Sequence, residues 1–245
     1  AVTTGVNNAL IGALAGDALT DADFNVAVGA NALTSDTLGS KSVAIGTQAL
    51  NNQNFTSATD TFNVAVGYRA GVAVTSGTHN TLIGGLAGDS ITTGVSNTAV
   101  GKDALEANTT ASSNTAVGVD ALGSNTTGAE NTAVGANALQ QNTTASNNTA
   151  LGVNALISNT TGTNNVAVGN SAGVFATTSD NSTFIGTSAG KGIAGARLTG
   201  NNHTVVGKDA GLLLQGGAAE NCIFGAFAGD AITTGGENCL FGMGA

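Results

Sequence analysis

The chain has 245 residues, with 15 acidic and 6 basic side chains, a net charge of −9 and a hydrophobic content of 41%. The six basic residues are scattered, whereas a nucleic-acid groove needs a concentrated basic face, so we expect no nucleic-acid partner. No apolar run approaches the roughly 18 residues of a membrane helix, so we expect no membrane insertion of this segment. Low charge and the absence of proline also argue against a disordered chain.

A repeat runs through the whole chain. Fourteen glycines are each followed three residues later by an alanine; ten of the thirteen intervals between successive glycines are 17 residues, two are 21 and one is 18. A strict period over an entire chain is typical of a solenoid, in which each repeat forms one coil. We therefore predict an all-β parallel β-solenoid of 14 coils of about 17 residues, forming a single domain over 1–245. The glycines are Gly12, Gly29, Gly46, Gly67, Gly84, Gly101, Gly118, Gly135, Gly152, Gly169, Gly186, Gly207, Gly225 and Gly242.

Each coil is predicted to contain a short strand directly before its glycine. Residues 97–101 read Asn-Thr-Ala-Val-Gly, and a short apolar, partly β-branched run between Asn and Gly is typical of a strand. Neighbouring strand residues point to opposite faces. We assign the large residue before the glycine, such as Val100, to the interior of the solenoid, so the middle residue points outwards. A helical hairpin is the competing interpretation, but glycine-rich and threonine-rich segments form helices poorly.

The middle strand residue is apolar in every coil, which a solenoid acting alone would not need on its outside. A continuous apolar stripe is typical of an interface, and cyclic closure is the usual form of a homo-oligomer. The alternative is that the strand is covered on both faces within one chain. The predicted interface consists of Ala27, Ala44, Ala65, Leu82, Ala99, Ala116, Ala133, Ala150 and Ala167.

The glycine fits a turn with positive φ, and the alanine three residues later is expected to pack inside a narrow corner. The polar second half of several coils carries Asn-Thr-Thr, which could form a second strand. Regular threonine rows on a flat solenoid face can bind ice, and the asparagines also lie in N-x-T sites that could carry glycans. These segments are 108–110, 125–127, 142–144 and 159–161.

Two irregular coils interrupt the period, near 47–66 and 187–206. Insertions in a solenoid form loops on one face, and such loops are the preferred places for specific recognition. Plain loop variation is the alternative. The candidate recognition residues are Asn54, Phe55, Lys191, Arg197 and His203.

Catalytic and metal-binding signals are weak. Cys222 and Cys239 lie at the same repeat position, and we expect free thiols that point inwards, because directly stacked parallel strands suit a disulfide poorly. Asp103 and Asp120 would stack on adjacent coils, but no calcium-loop motif surrounds them. No nucleophile–His–Asp set, phosphate loop or carboxylate pair stands out. We therefore expect no enzyme activity, metal or cofactor.

The segment 42–49, Ser-Val-Ala-Ile-Gly-Thr-Gln-Ala, resembles the head repeat of trimeric autotransporter adhesins, the YadA-like head. Similar repeats occur in trimeric phage tail fibres, and 25–32, 63–70 and 165–172 carry the same pattern. The resemblance implies a left-handed parallel β-roll, a homotrimer, an extracellular, cell-surface or virion location and a role in attachment. The family's repeat is typically shorter, near 14 residues, and the longer threonine-bearing arm favours a fibre shaft.

The sequence therefore predicts a structural and adhesive segment of a trimeric fibre, and we expect this chain to be a piece of a longer protein. Two other functions remain open. One is an ice-binding or glycan-binding solenoid that uses its threonine face. The other is a subunit of a self-assembling filament that stacks end to end through uncapped terminal coils. The host-surface receptor or glycan cannot be identified from the sequence.

Overall fold

A computed structural model describes residues 3–245, which form two compact units, the first ending at Asp120 and the second spanning Ala121–Ala245. Each unit contains seven three-residue strands, one directly before each glycine of the repeat. The first unit has β1 (Ala9–Ile11), β2 (Val26–Val28), β4 (Val43–Ile45), β6 (Val64–Val66), β7 (Thr81–Ile83), β8 (Thr98–Val100) and β9 (Thr115–Val117), with the short pair β3 (Gly39–Ser40) and β5 (Thr59–Asp60). The second has β10 (Thr132–Val134), β11 (Thr149–Leu151), β12 (Val166–Val168), β13 (Thr183–Ile185), β14 (Thr204–Val206), β15 (Cys222–Phe224) and β16 (Cys239–Phe241).

Within each unit the strands of successive coils pair in parallel, with equivalent repeat positions opposite each other. In the first unit Val26 pairs with Val43 and Ala27 with Ala44. In the second, Thr132 pairs with Thr149 and Ala133 with Ala150. Residues 3–245 contain no helix, and so none that could span a membrane. The predicted all-β parallel solenoid, with about 14 coils roughly 17 residues apart, is confirmed.

The invariant glycine follows from backbone geometry. Gly101 has a φ of +140°, and a Cβ atom placed on it would lie 2.4 Å from the carbonyl oxygen of Gly118 in the next coil. A side chain there would therefore be strained and would also collide with the neighbouring backbone. The alanine three residues later closes the turn, as when the Ala49 amide donates to the Gly46 carbonyl at 3.2 Å. Twelve of the fourteen partner alanines are completely buried, as the sequence predicts.

The inward and outward faces of the strands are the reverse of the prediction. The middle strand residue points into the core, and the residues on either side of it point out. The core is narrow because side chains from the turn that follows each repeat glycine also point into it. Gly71 lies in such a turn, and a Cβ placed on it would collide with the side chains of both Leu82 and Leu50. All nine predicted interface residues are completely buried within their own chain: Ala27, Ala44, Ala65, Leu82, Ala99, Ala116, Ala133, Ala150 and Ala167.

Two types of coil fill this narrow core. In leucine coils the residue after the turn alanine is a buried leucine, as at Leu105, and the third residue beyond it is a buried polar residue such as Asn108. In glycine coils that leucine is replaced by glycine, as at Gly88, and an aliphatic residue such as Ile91 follows three positions later. A Cβ on Gly88 would lie 2.8 Å from the side chains of Ile91 and Leu82. The small residue therefore leaves room for larger neighbours.

A buried row of asparagines precedes the strands and connects successive coils. The amide nitrogen of the Asn148 side chain donates to the Gly162 carbonyl at 2.9 Å, and its oxygen accepts from the backbone N–H of Asn165 at 3.0 Å. In the first unit Asn80 makes the same two bonds, to the Gly94 carbonyl and from the Asn97 N–H. Each amide thus satisfies backbone groups that lie outside the short strands, which explains why completely buried polar residues are tolerated.

The Asn-Thr-Thr segments form bends, so the predicted second strand is absent from residues 108–110, 125–127, 142–144 and 159–161. Their asparagines are completely buried, and the Asn142 side chain donates to the Ala145 carbonyl at 3.0 Å and to the Asn125 side chain at 2.8 Å. The folded chain therefore offers none of these four asparagines to a glycosylating enzyme. Each of these asparagines donates a side-chain hydrogen bond to the carbonyl three residues later, and this bond closes a turn where a strand was expected.

Candidate functional site

The most extensive candidate site is the outward strand face, which we define as the first and third residues of the seven three-residue strands in each unit. Each unit thus presents two parallel rows of side chains, one from each strand position. In the first unit the rows are Ala9, Val26, Val43, Val64, Thr81, Thr98 and Thr115, beside Ile11, Val28, Ile45, Val66, Ile83, Val100 and Val117. In the second they are Thr132, Thr149, Val166, Thr183, Thr204, Cys222 and Cys239, beside Val134, Leu151, Val168, Ile185, Val206, Phe224 and Phe241.

The outward strand face is uncharged and partly exposed: its third-position row is aliphatic or aromatic throughout, whereas half of its first-position row is threonine. Ile45 is 38% exposed and Leu151 is 48% exposed, although each lies in a strand with a paired strand on either side. Neither row contains a charged side chain. The parallel register places like residues beside like residues in each row, so the exposed groups form a continuous strip and not scattered points. Extended apolar patches of this kind are typical of protein–protein interfaces.

The aromatic end of this face in the second unit is ordered by stacking. The rings of Phe224 and Phe241 lie 5.2 Å apart and are nearly parallel, at an interplanar angle of 2°. Beside them Cys222 and Cys239 are free and point outwards, so their predicted inward direction is wrong for the same reason as that of the alanines. Desolvation, followed by the neighbouring Cys239, raises the pKa of the Cys222 thiol. Both thiols therefore lie on the candidate interface.

The threonine arm, defined as the Asn-Thr-Thr segments and their equivalents in other coils, differs chemically from the strand face. The Thr126 hydroxyl donates to the Thr143 carbonyl at 3.0 Å, Thr143 donates to Thr160 at 3.2 Å and Thr160 to Thr177 at 3.1 Å. In the first unit Thr75 and Thr92 make the equivalent bonds. In these five coils the first threonine therefore uses its hydroxyl proton to connect coils, and this lowers its capacity to organise water or a sugar.

The irregular coils separate the five predicted recognition residues into two groups. Asn54 and Arg197 are exposed and Lys191 is half-buried, so these three are accessible. Phe55 is 92% buried and packs into the core, and its backbone N–H donates to the buried Asp36 carboxylate at 3.0 Å. His203 is also buried. Neither Phe55 nor His203 can therefore contact a partner of the folded chain.

His203 is a member of the buried asparagine row and not a loop residue. It directly precedes β14, as Asn165 precedes β12, and its Nε2 lies 2.9 Å from the Ala218 carbonyl. Burial lowers the pKa of the imidazole, and this hydrogen bond only partly opposes the shift. Its Nδ1 is buried without a hydrogen-bond partner. His203 thus occupies the position of an asparagine in this row, but it forms one hydrogen bond to the backbone where an asparagine such as Asn148 forms two.

A group of acidic side chains lies on the surface of the first unit. Arg69 forms an ion pair with Asp89, and Lys102 pairs with Asp103. Burial, followed by the charge on Asp103, raises the pKa of the Glu106 carboxyl, and burial also raises the pKa of Asp89 despite the opposing Arg69. Across residues 3–245, no three His, Cys, Asp or Glu side chains are placed to hold a metal ion. The group is therefore a partly neutralised charge cluster.

No protein-family model, curated protein or solved structure matches this chain. The resemblance to YadA-like head repeats thus depends on the quoted residues alone.

Proposed function

We propose that this chain is a structural segment of a homotrimeric fibre, extracellular or on a virion, that takes part in attachment. The observation that carries the proposal is the outward strand face, with its two uncharged rows in each unit and large aliphatic side chains that are 38–48% exposed at positions such as Ile45 and Leu151. Covering these rows with a second copy of the same surface would remove apolar area from water at about 25 cal/mol per Å².

Association of three chains suits the geometry of this face. A strand of three residues is only about 10 Å wide, so each chain offers a narrow strip that runs from coil to coil. Cyclic symmetry about an axis along the strip keeps the chains parallel and places each coil beside its own copies. Valine would then meet valine and threonine would meet threonine at every level. The resemblance to trimeric adhesin heads and tail fibres supports the same number of chains.

In this proposal the mechanical properties come from interactions within each chain. Within each unit, backbone hydrogen bonds connect successive coils, and the asparagine row adds side-chain bonds, such as Asn165 N–H to Asn148 Oδ1 at 3.0 Å. A long segment held by repeated bonds of this kind resists local opening. The threonine arm would face the surroundings and carry the exposed loops, including Asn54 and Arg197, that are free to contact a surface.

Sedimentation equilibrium of the purified chain over a wide concentration range tests this proposal. We expect a single species with three times the mass of one chain. The Leu151→Glu variant should sediment as a monomer, because a carboxylate would face its own copies across the interface. The matched control Thr161→Glu lies on the exposed threonine arm and should leave the trimer intact. A monomeric wild-type chain would overturn the proposal, and a mass that rises continuously with concentration would favour the filament alternative.

A further inference from the structure

An open groove of about 440 Å³ lies within the second unit, at the irregular coil near 187–206. Its walls come from three successive coils and include Phe175, Ile193, Leu212 and Leu213. The only charged side chain that lines it is Lys191. The groove is therefore almost entirely apolar with a single cationic group, a combination that differs from the uncharged outward strand face.

Backbone hydrogen bonds hold the walls of this groove in place. The Phe175 N–H donates to the Lys191 carbonyl at 2.9 Å, and the Gly192 N–H donates to the Leu212 carbonyl at 3.1 Å. The inserted residues close on themselves through an antiparallel bridge between Ile193 and Ala196. The groove is thus formed by segments of three coils that are hydrogen-bonded to one another.

The charge at the groove is uncompensated, in contrast to the rest of the described chain. Four of the six basic residues, Lys41, Arg69, Lys102 and Lys208, lie within 4 Å of an aspartate carboxylate. Within residues 3–245 the two that form no such ion pair are Lys191 and Arg197, and both belong to the irregular coil. In a chain with a net charge of −9, the one cation that lines this apolar groove, Lys191, has no carboxylate partner, and this combination favours an anionic ligand with an apolar body.

We infer that this groove binds a medium-chain aliphatic carboxylate. The alkyl chain lies against Phe175, Ile193 and Leu212, and the carboxylate accepts a hydrogen bond from the Lys191 ammonium group. The Lys191 ammonium is a compact charge on a flexible stem that can pair with one carboxylate, and the other side chains that line the groove provide no competing polar partner. Binding should tighten roughly fourfold for each methylene that enters the groove. This inference is independent of the proposed trimer.

Isothermal titration calorimetry of the full chain with hexanoate, octanoate and decanoate, each below its micelle-forming concentration, tests the inference. We expect saturable binding that strengthens along the series, and much weaker binding of decanol, which lacks the charge. Lys191→Gln should weaken decanoate binding at least tenfold, whereas Lys191→Arg should retain most of it. Lys208→Gln is the matched control, because Lys208 is a lysine of the same unit that does not line the groove.

Folding of every variant is checked by circular dichroism and by its thermal midpoint. Leu213→Asp provides a second test, because it places a negative charge on the wall of the groove while leaving Lys191 in place. It should abolish decanoate binding in a chain that remains folded. The inference is overturned if decanoate shows no saturable binding, if decanol binds as well as decanoate, or if the folded Lys191→Gln variant binds as tightly as Lys208→Gln.

Discussion

The outward strand face and the threonine arm belong to the same coils but use their side chains in opposite ways. On the strand face, exposed aliphatic groups such as Ile45 and Leu151 contribute little to the coil that carries them. On the threonine arm, hydroxyls such as that of Thr143 donate to the backbone of the next coil. The aliphatic groups of the strand face are therefore free to contact a partner, whereas many hydroxyls of the threonine arm already donate hydrogen bonds within the chain.

This difference shows that repetition alone does not identify a binding surface. Both surfaces repeat a short sequence from coil to coil, and both expose threonine. The distinguishing property is whether the repeated groups already have partners in the folded chain. By that criterion the strand face is the stronger candidate for self-association, and the threonine rows are the weaker candidate for ice or glycan binding.

The largest expected effect separates the two sides of one strand. Ala150→Glu places a carboxylate in a completely buried position, and an unpaired buried charge should lower the free energy of unfolding by about 3–5 kcal/mol. Leu151→Glu lies one residue away on the exposed side and should change the stability of the isolated chain by less than about 1 kcal/mol. Denaturant unfolding of both variants at a concentration where the chains are dissociated measures the contrast. Equal losses would contradict the assignment of the two faces.

The next effect concerns the asparagine row. Asn148→Ala leaves the Gly162 carbonyl and the Asn165 N–H without their side-chain partner, so we expect a loss of about 2 kcal/mol or more. Asn148→Asp keeps the acceptor but replaces the donor with a carboxylate in a completely buried position, so its loss should exceed that of Asn148→Ala. Denaturant unfolding of the two variants distinguishes these contributions. A loss near zero for Asn148→Ala would mean that water replaces the amide without cost.

A pH effect is expected where His203 takes the place of an asparagine. Burial lowers the pKa of His203 in the folded chain, so the unfolded chain binds more protons once the pH falls below the ordinary value of about 6.5. The stability contributed by the neutral ring is therefore present above that pH and is lost as the pH falls through it. His203→Asn should show a smaller drop in thermal midpoint between pH 7.5 and pH 5.5 than the wild-type chain. An unchanged drop would assign the acid sensitivity to other groups.

The smallest effect is expected on the threonine arm. Thr143→Val keeps the shape of the side chain and removes one hydroxyl donor to the Thr160 carbonyl. The loss should be about 0.5–1 kcal/mol, because the carbonyl also accepts from the Thr143 backbone N–H. Thermal unfolding measures this change, and an ice-recrystallisation assay on the same variant addresses the alternative function. Ice-binding activity in the wild type that disappears in the variant would favour the threonine face as the functional surface.

Much of the fold could be predicted because its causes are local and repeated. The period gives the stacking of coils, and each glycine marks a turn that no side chain fits, as at Gly101. Which strand side chains point into the core could not be predicted from their size alone, because all three strand positions are apolar in many coils. The width of the core decides which side chains fit inside, and that width depends on other core side chains such as Leu50 and Leu82.

A signal for the correct direction was nevertheless present in the sequence. Where the middle strand residue is large, as at Leu82 and Phe184, the later position that carries leucine in other coils is glycine, at Gly88 and Gly190. A Cβ on Gly190 would lie 2.1 Å from the Phe184 ring, so these positions share one core space. In the same way, His203 directly precedes its strand, where other coils have the buried asparagine. Its position in the repeat therefore predicts a buried structural role.

Thiol accessibility tests most directly the claim that the outward strand face is covered by other copies of this chain. In a background carrying Cys222→Ser and Cys239→Ser, the variants Leu151→Cys and Thr161→Cys place one thiol on each surface. Their rates of reaction with a disulfide reagent are compared in the assembled protein and in denaturant. We predict strong protection of the Leu151→Cys thiol and a nearly unprotected rate for the Thr161→Cys thiol. Equal, rapid reaction at both positions would show that the strand face is open to solvent and would contradict the account.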